Sequence, residues 1–448
     1  MSAILQRPRA EGLEVAVTTI VAVGVGVALV ATPAVTALIV PTLVGAGLVG
    51  VLSRVLEDPA DLARNRWLRQ VSAAVLGAHL VIGLVIIGND ALVRTLGIDA
   101  VGYHEGAKAI LDHWHGTAAM DVSFLPVGKE GFFYGLAAVY WVFGAFQVAG
   151  IAVNAALAAA VVPLVYDTTR RLVGSGAARV AVVMYAVLPG FLVWTSQLLR
   201  EAVVVFLLAA AANAAVRLQE RTTPGPVVVL GGTLAVLFTV RANVALLAAA
   251  GLVIGLVISR REVLAGAMTA AVVIGLVVFA VAVAGVGESG YRLTTTADLE
   301  TVSEIRQALA TSANSGIAPE ADVSTPGDAL RFLPYGLVAF GLGPFPWTAE
   351  NALQLAGVLE ALTLLFLLPS LVRGWRRAGD AIGRRRLVLG VPALALAMGL
   401  ALYVGNYGTV VRERLQVSIL ILPFVAYGWT LRRRGALVVP AGVMERTG

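Results

Sequence analysis

Apolar residues run through this chain in long blocks, separated by short polar segments in which arginine predominates. The blocks fall at roughly 14–31, 35–55, 70–88, 149–166, 176–196, 201–217, 226–240, 242–258, 262–286, 351–372, 386–405 and 411–430. A helix needs about 20 apolar residues to cross a hydrocarbon core, so the pattern predicts an all-α polytopic membrane protein with about twelve transmembrane helices. The shortest block is 226–240. Two further apolar stretches, 132–146 and 330–346, are short and are expected to lie at the outer membrane surface rather than to cross it. The first carries Phe132, Phe133, Tyr134, Tyr140, Trp141, Phe143 and Phe146, an aromatic density suited to the headgroup boundary.

Charge gives the chain a direction. With the N-terminus inside, the inner segments collect 23 of the 33 Lys and Arg residues, among them Arg64, Arg66, Arg69, Arg170, Arg171, Arg260, Arg261, Arg384, Arg385, Arg386, Arg432, Arg433 and Arg434. Counting 132–146 as a span would put Arg170 and Arg171 outside and spoil this bias, which follows the excess of Lys and Arg in cytoplasmic loops. Both termini are therefore expected in the cytoplasm and the chain in the inner (plasma) membrane. No small-residue cleavage site follows the first block before the next begins, so that block is expected to remain as a span. The outer face then holds two long loops, 89–148 and 287–350; sixteen of the 27 acidic residues fall on the outer side, as do both lysines, Lys108 and Lys129. In the first loop Tyr103, Ala107, Ile110 and Trp114 recur at helical spacing, which predicts a short helix along the membrane surface. No internal repeat or low-complexity linker divides the chain, so residues 1–448 are expected to form one membrane domain.

Composition agrees. Of 448 residues, 58% are apolar and only 13% charged, against roughly a quarter charged in a soluble domain. The net charge of +6 sits in short loops between apolar blocks, which points to a bilayer and away from nucleic acid. There is no cysteine, which removes disulfides and thiolate metal sites from consideration.

Few residues in this background can carry chemistry, and most fall outside. Asp99, beside the surface helix, could accept a proton from a substrate hydroxyl or simply cap that helix. Lys129 could neutralise a lipid phosphate or anchor the chain at the interface. Arg200 and Glu201 occupy a tight outer turn, where they could serve a site or pair with one another. Arg241 follows the shortest block and is expected slightly below the outer surface, poised to grip a phosphate in two hydrogen bonds or to snorkel outward. Arg412 and Arg414 flank Glu413; residues two apart do not share a helix face, so at most one should point at a common site. Glu360, near the middle of its block, is expected to hydrogen-bond between helices. His104, His113 and His115 do not have metal-ligand spacing, and no metal site is expected.

Taken in order, Asp99 to Ala107, Lys129 to Gly144 and Arg170-Arg171-Leu172-Val173-Gly174 resemble the early part of the GT-C polytopic glycosyltransferases, the protein O-mannosyltransferase and aminoarabinose-transferase-like enzymes. In that family an acid, often Asp-Glu, precedes a tyrosine and an alanine in the first outer loop. Asp99, Tyr103 and Ala107 fit, with Ala100 in place of the second acid. Lys129 fits the family's His-Pro-Pro or Lys-Pro-Pro element, with Glu130 and Gly131 in place of the prolines. Ser196, Arg200 and Glu201 resemble a Ser-x-x-x-Arg-x-Asp element with the acid adjacent to the arginine. The similarity is good over 95–220 and returns at Pro344-Phe345-Pro346-Trp347 and around Arg412 and Arg414.

The resemblance implies a GT-C-like fold and transfer of a sugar from a polyprenyl-phosphate donor to a glycan, lipid or protein acceptor on the outer face. It implies Asp99 as general base, with Glu201 orienting Arg200 or a sugar hydroxyl. Lys129, Arg200, Arg241 and Arg412 would meet the donor's lipid phosphate, and Tyr103, His104, Glu130 and Arg414 would contact substrate. No cofactor is implied, because a lipid-phosphate donor does not itself require a metal. Two other functions fit the same outer charges. A polysaccharide polymerase or ligase would release polyprenyl diphosphate instead of monophosphate, and a lipid-linked sugar transporter or flippase would show counterflow with no covalent product.

Overall fold

The computed structural model describes residues 32–57, 61–119, 129–259, 298–313, 315–349 and 352–437. Sixteen α-helices are found among these residues, with no β-strand beyond one isolated bridge. In chain order they are α1 (Pro33–Leu56), α2 (Leu62–Ile87), α3 (Asp90–Leu96), α4 (Ile98–Trp114), α5 (Glu130–Phe143), α6 (Gln147–Val173), α7 (Ser175–Val187) and α8 (Pro189–Trp194). There follow α9 (Glu201–Glu220), α10 (Pro224–Val240), α11 (Ala242–Ser259), α12 (Leu299–Thr311), α13 (Pro326–Leu342), α14 (Ala352–Ile382), α15 (Leu387–Tyr403) and α16 (Tyr407–Leu437).

Local chemistry sets many of these boundaries. Asp61 and Asn89 accept backbone N–H groups at the starts of α2 and α3, and Thr325 does so for α13, with Pro326 at the first helical position. Such caps satisfy donors that a helix cannot bond internally. Seven helical stretches among the described residues are long and apolar enough to cross a membrane; one of them, Gly357–Tyr403, carries the 3-10 turn Gly383–Arg386 between α14 and α15. α7 and α10 are apolar but shorter, and neither α5 nor α13 qualifies as a span. The chain is thus an all-helical polytopic membrane protein.

Ten of the twelve predicted spans fall on described helices; 14–31 and 262–286 lie outside the described residues. One prediction needs correction. The block 176–196 is not a continuous helix, because α7 stops at Val187, Leu188 is extended (φ −65°, ψ 123°) and α8 starts at Pro189. A residue before proline is driven out of helical geometry by the pyrrolidine ring, and hydropathy does not register that break.

α6 lies at the centre, packed on α1, α2, α7 and α9, and both α6 and α9 are buried on nearly every face. α1 and α2 instead expose Leu48, Val55, Val81 and Val85, as expected of helices that face lipid. α14 and α16 form the most extensive helix pair. Their backbones meet at two glycines: a Cβ on Gly374 would collide with the Phe424 carbonyl oxygen, and one on Gly428 with that of Ser370. Small residues allow this close approach where no hydrophobic drive separates helix from lipid.

The segment before α13 is tied across the turn between α15 and α16. Ile317 N donates to Gly405 O at 2.7 Å and Tyr407 N to Ser315 O at 3.1 Å. Beneath it, buried Arg306 donates to the carbonyls of Ile317, Ala318 and Ala321 at 2.7 to 3.0 Å and lies 4.2 Å from the Phe332 ring centre. The start of α16 is thereby held, and with it the residues that follow.

Replacing Gly428 with Val should separate α14 from α16 and cost about 1–3 kcal/mol or more, as overpacking does. Thermal unfolding of the purified protein in detergent checks this; an unchanged midpoint would mean the two helices do not need their close contact.

Candidate functional site

Seven charged side chains from distant parts of the sequence gather at one end of the bundle. Asp99 stands in the first turn of α4, Lys129 just before α5, and Arg200 and Glu201 at the start of α9. Arg241 follows the last residue of α10, and Arg412 and Glu413 lie in the second turn of α16. The buried turn 195–200 that presents Arg200 is pinned from below. Asn154 of α6 donates to the carbonyls of Gln197 and Leu199 at 2.6 and 2.7 Å, and His79 of α2 bonds Thr195 Oγ1 at 2.9 Å.

The deepest member is Arg241. It donates to Glu413, and its Nη1 lies 3.8 Å from Glu201 Oε1, all three side chains being buried. The expected phosphate grip at the surface is therefore corrected: this guanidinium is sealed between two carboxylates from α9 and α16. A charge removed from water needs such partners, because its desolvation is otherwise uncompensated. The alternative of a mutual Arg200–Glu201 pair is not found among the described residues, since Glu201 faces Arg241 instead. Several polar atoms here are buried without a hydrogen-bond partner among the described residues: Arg200 Nε, Glu201 Oε2, Arg241 Nη1 and Glu413 Oε2.

Nearer the solvent, Arg412 donates to Asp99. Its Nε also reaches Gly408 O at 3.2 Å, and its guanidinium carbon sits 5.7 Å from the centre of the Trp194 ring. Asp99 is not a helix cap; Gly97 occupies that position. Burial alone would raise the Asp99 carboxyl, but the charge and hydrogen bond of Arg412, with Lys129 and Arg200 beyond it, hold it below the usual aspartate value. Lys129 is pushed down to about 8, first by burial and then by Arg200 and Arg241, with Asp99 and Glu413 acting in the opposite sense. Two residues on, Gly131 lies against the end of α10, where a Cβ would strike Thr239.

The remaining predicted contacts divide. Tyr103 is buried against Phe132 and Phe133, with ring centres 4.8 and 5.2 Å away, at the edge of the cluster. Burial raises its hydroxyl, and Arg200, Glu201, Asp99 and Arg241 all act on it. Glu130 opens α5 beside Lys129. Two of the expectations are corrected in direction. His104 turns to Tyr140, with Nδ1 2.7 Å from the hydroxyl, and links α4 to α5. Arg414 turns away from Arg412 and donates to the carbonyls of Phe340, at 2.8 Å, and Gly343. Helical spacing separates the two arginines, so only Arg412 joins the cluster. Glu360 lies against Gly190 of α8 and near Arg414, apart from the site.

Glu413 and Trp194 were not singled out from sequence. The acid was visible only as a neighbour of two arginines, and one position along a helix turns a side chain by about 100°. That turn is what directs Glu413 to Arg241 while Arg412 meets Asp99. The opposite end of α6 and α9 holds a different network. There Asp167 receives Arg170, Arg171, Arg217 and Asn213, while Glu220 meets Arg171 and Arg385.

Such an arrangement of charge at one end of an apolar helical bundle defines a membrane protein with a polar site at its mouth. The family model described as dolichyl-phosphate-mannose-protein mannosyltransferase matches residues 131–284 of the chain. The match supports a GT-C-like glycosyltransferase, a class that works in the membrane with lipid-linked sugar donors. It takes in Arg200, Glu201 and Arg241 and leaves out Asp99, Lys129 and Arg412. No curated protein matches the chain.

Two outcomes follow from this geometry. Arg241→Met should strand two buried carboxylates and destabilise the protein by about 3–5 kcal/mol, read as thermal unfolding in detergent; a loss within error would mean the two acids do not rely on it. Because the chain has only two lysines, a Lys108→Arg background leaves Lys129 as the single side-chain amine. Its labelling by an amine-selective reagent should titrate with a midpoint of about 8, and Arg200→Ala should move that midpoint upward by removing a like charge.

Proposed function

We propose that the protein transfers a sugar from a polyprenyl-phosphate donor to an acceptor hydroxyl on the outer face of the membrane, with inversion at the anomeric carbon. The observation that carries this is the meeting of Asp99 with Lys129, Arg200 and Arg412 at one end of the bundle. An acid beside several cations suits a reaction in which a hydroxyl loses a proton while a phosphate departs.

The acceptor oxygen bonds to the anomeric carbon as the bond from that carbon to the phosphate oxygen breaks. Asp99 takes the hydroxyl proton, and the polyprenyl monophosphate leaves with one additional negative charge. Lys129, Arg200 and Arg412 stabilise that charge as it develops, in a site where water competes poorly. Arg241 contributes its field and holds Glu201, whose buried Oε2 has no partner among the described residues and suits a sugar hydroxyl. Tyr103, at the cluster's edge, and Glu130, beside Lys129, flank the substrate. The arginine-rich far ends of α6 and α9 support a cytoplasmic position for that end. Both termini then lie in the cytoplasm and the chain in the plasma membrane.

The test is turnover by Asp99→Asn protein supplied with a polyprenyl-phosphate sugar. Loss of about 100-fold or more is expected on removal of a general base; transfer at the wild-type rate would refute the assignment. The leaving group decides between neighbouring chemistries, because release of polyprenyl diphosphate would instead indicate a polymerase or ligase.

A further inference from the structure

Arg412 has two obligations that conflict. As a ligand for the donor's phosphate it must offer its donors to that group, yet in the free protein it spends Nη1 on Asp99. An aspartate bonded to a guanidinium is also a poor proton acceptor, because protonation has to displace the pair. Different nitrogens of Arg412 could meet both groups, but Asp99 can serve as a base only once its own pair with Arg412 is loosened.

The surroundings allow such an exchange here and disfavour it elsewhere in the cluster. The side chains of Arg412 and Asp99 are 22% and 45% exposed, whereas those of Arg241 and Glu413 are 5% and 1% exposed. An incoming anion can therefore reach the first pair and not the second. Arg412 also has other support when it leaves Asp99: Gly408 O at its Nε, the Trp194 ring, and the charge of Glu201. Four cations, Lys129, Arg200, Arg241 and Arg412, meet three carboxylates, Asp99, Glu201 and Glu413. The surplus is one positive charge, which is what a phosphodiester-linked sugar donor would neutralise.

We propose that Arg412 is shared, holding Asp99 in the free protein and passing to the donor's phosphate when it binds, so that the base is released only after the donor is in place. This rests on the assignment of Asp99 as base and of a lipid phosphate as the ligand. It adds an order of events: donor first, acceptor second. No bond is made or broken in the exchange itself; Asp99 gives up one ion pair and the phosphate takes it, with Lys129 and Arg200 completing the phosphate's shell.

Binding distinguishes this from the reaction itself. Farnesyl monophosphate, a short isoprenyl phosphate, would be titrated calorimetrically into detergent-solubilised full-length protein carrying Asp99→Asn, Arg412→Gln or both. With the competing carboxylate gone, Asp99→Asn should bind about tenfold more tightly than wild type, the worth of one charge-assisted hydrogen bond. In the Arg412→Gln background the same substitution should change affinity by less than about twofold. An equal gain in both backgrounds would show only the loss of a nearby negative charge and would overturn the sharing of Arg412, as would no gain at all. If Arg412→Gln does not purify as a folded protein, Arg412→Met serves, since it keeps an unbranched side chain over Trp194 and removes the cation. A wild-type transfer rate in Asp99→Asn would remove the base assignment while leaving the binding result intact, so the two failures are separable.

Discussion

A guanidinium sealed among apolar helices cannot stand alone, and the burial of Arg241 between Glu413 and Glu201 constrains everything around it. Its position at the end of α10 requires α9 and α16 to bring their acids to the same depth. Once α16 is set that way, the preceding residue in the helix faces outward over Trp194 to Asp99. The deep trio therefore fixes the shallow pair. This division suits the general behaviour of ions in low dielectric, where completely enclosed pairs are costly to disturb and half-exposed ones exchange partners.

The elements that present the site are ordered by ordinary helix chemistry. Asn154 and His79 brace the irregular turn ahead of α9, supplying bonds to backbone and side-chain groups that would otherwise be buried unpaired. Non-helical backbone at this depth is tolerated where protein satisfies it. Across the cluster, Arg306 performs a similar task with three carbonyls under the segment that ties α12 to the start of α16.

Much of the helical layout was legible from hydropathy, because a span must be apolar and near a set length. The surface helix α4 was legible too, since Tyr103, Ala107 and Ile110 do form its buried stripe; Trp114, from the same spacing, is 44% exposed and stacks on Tyr134. The membership of the cluster was partly visible, as the outer charges are few in so apolar a chain. Its pairings were not. Which acid meets Arg241 depends on how α16 is rotated, and nothing in a single sequence reports the rotation of a helix that is apolar on most faces. The break at Pro189 escaped for another reason: hydropathy averages over windows, while a proline acts on one peptide unit. His79 and Asn154 were similarly hidden, because a lone polar residue in a span gives no indication of the turn it supports.

The pairing of Asp99 with Arg412 joins residues 313 positions apart. At translation rates of 5–20 residues per second, the later residue emerges roughly 15 to 60 seconds after the earlier one. Throughout that interval the carboxylate on α4 lacks its hydrogen-bonded partner and has only the fields of Lys129 and, later, Arg200, while Arg241 has Glu201 but not yet Glu413. The polar mouth is thus completed by the last insertion event among the described helices. A ribosome stalled short of α16 leaves a bundle with most of its spans, the Arg241–Glu201 contact alone, and neither of the pairs that α16 contributes.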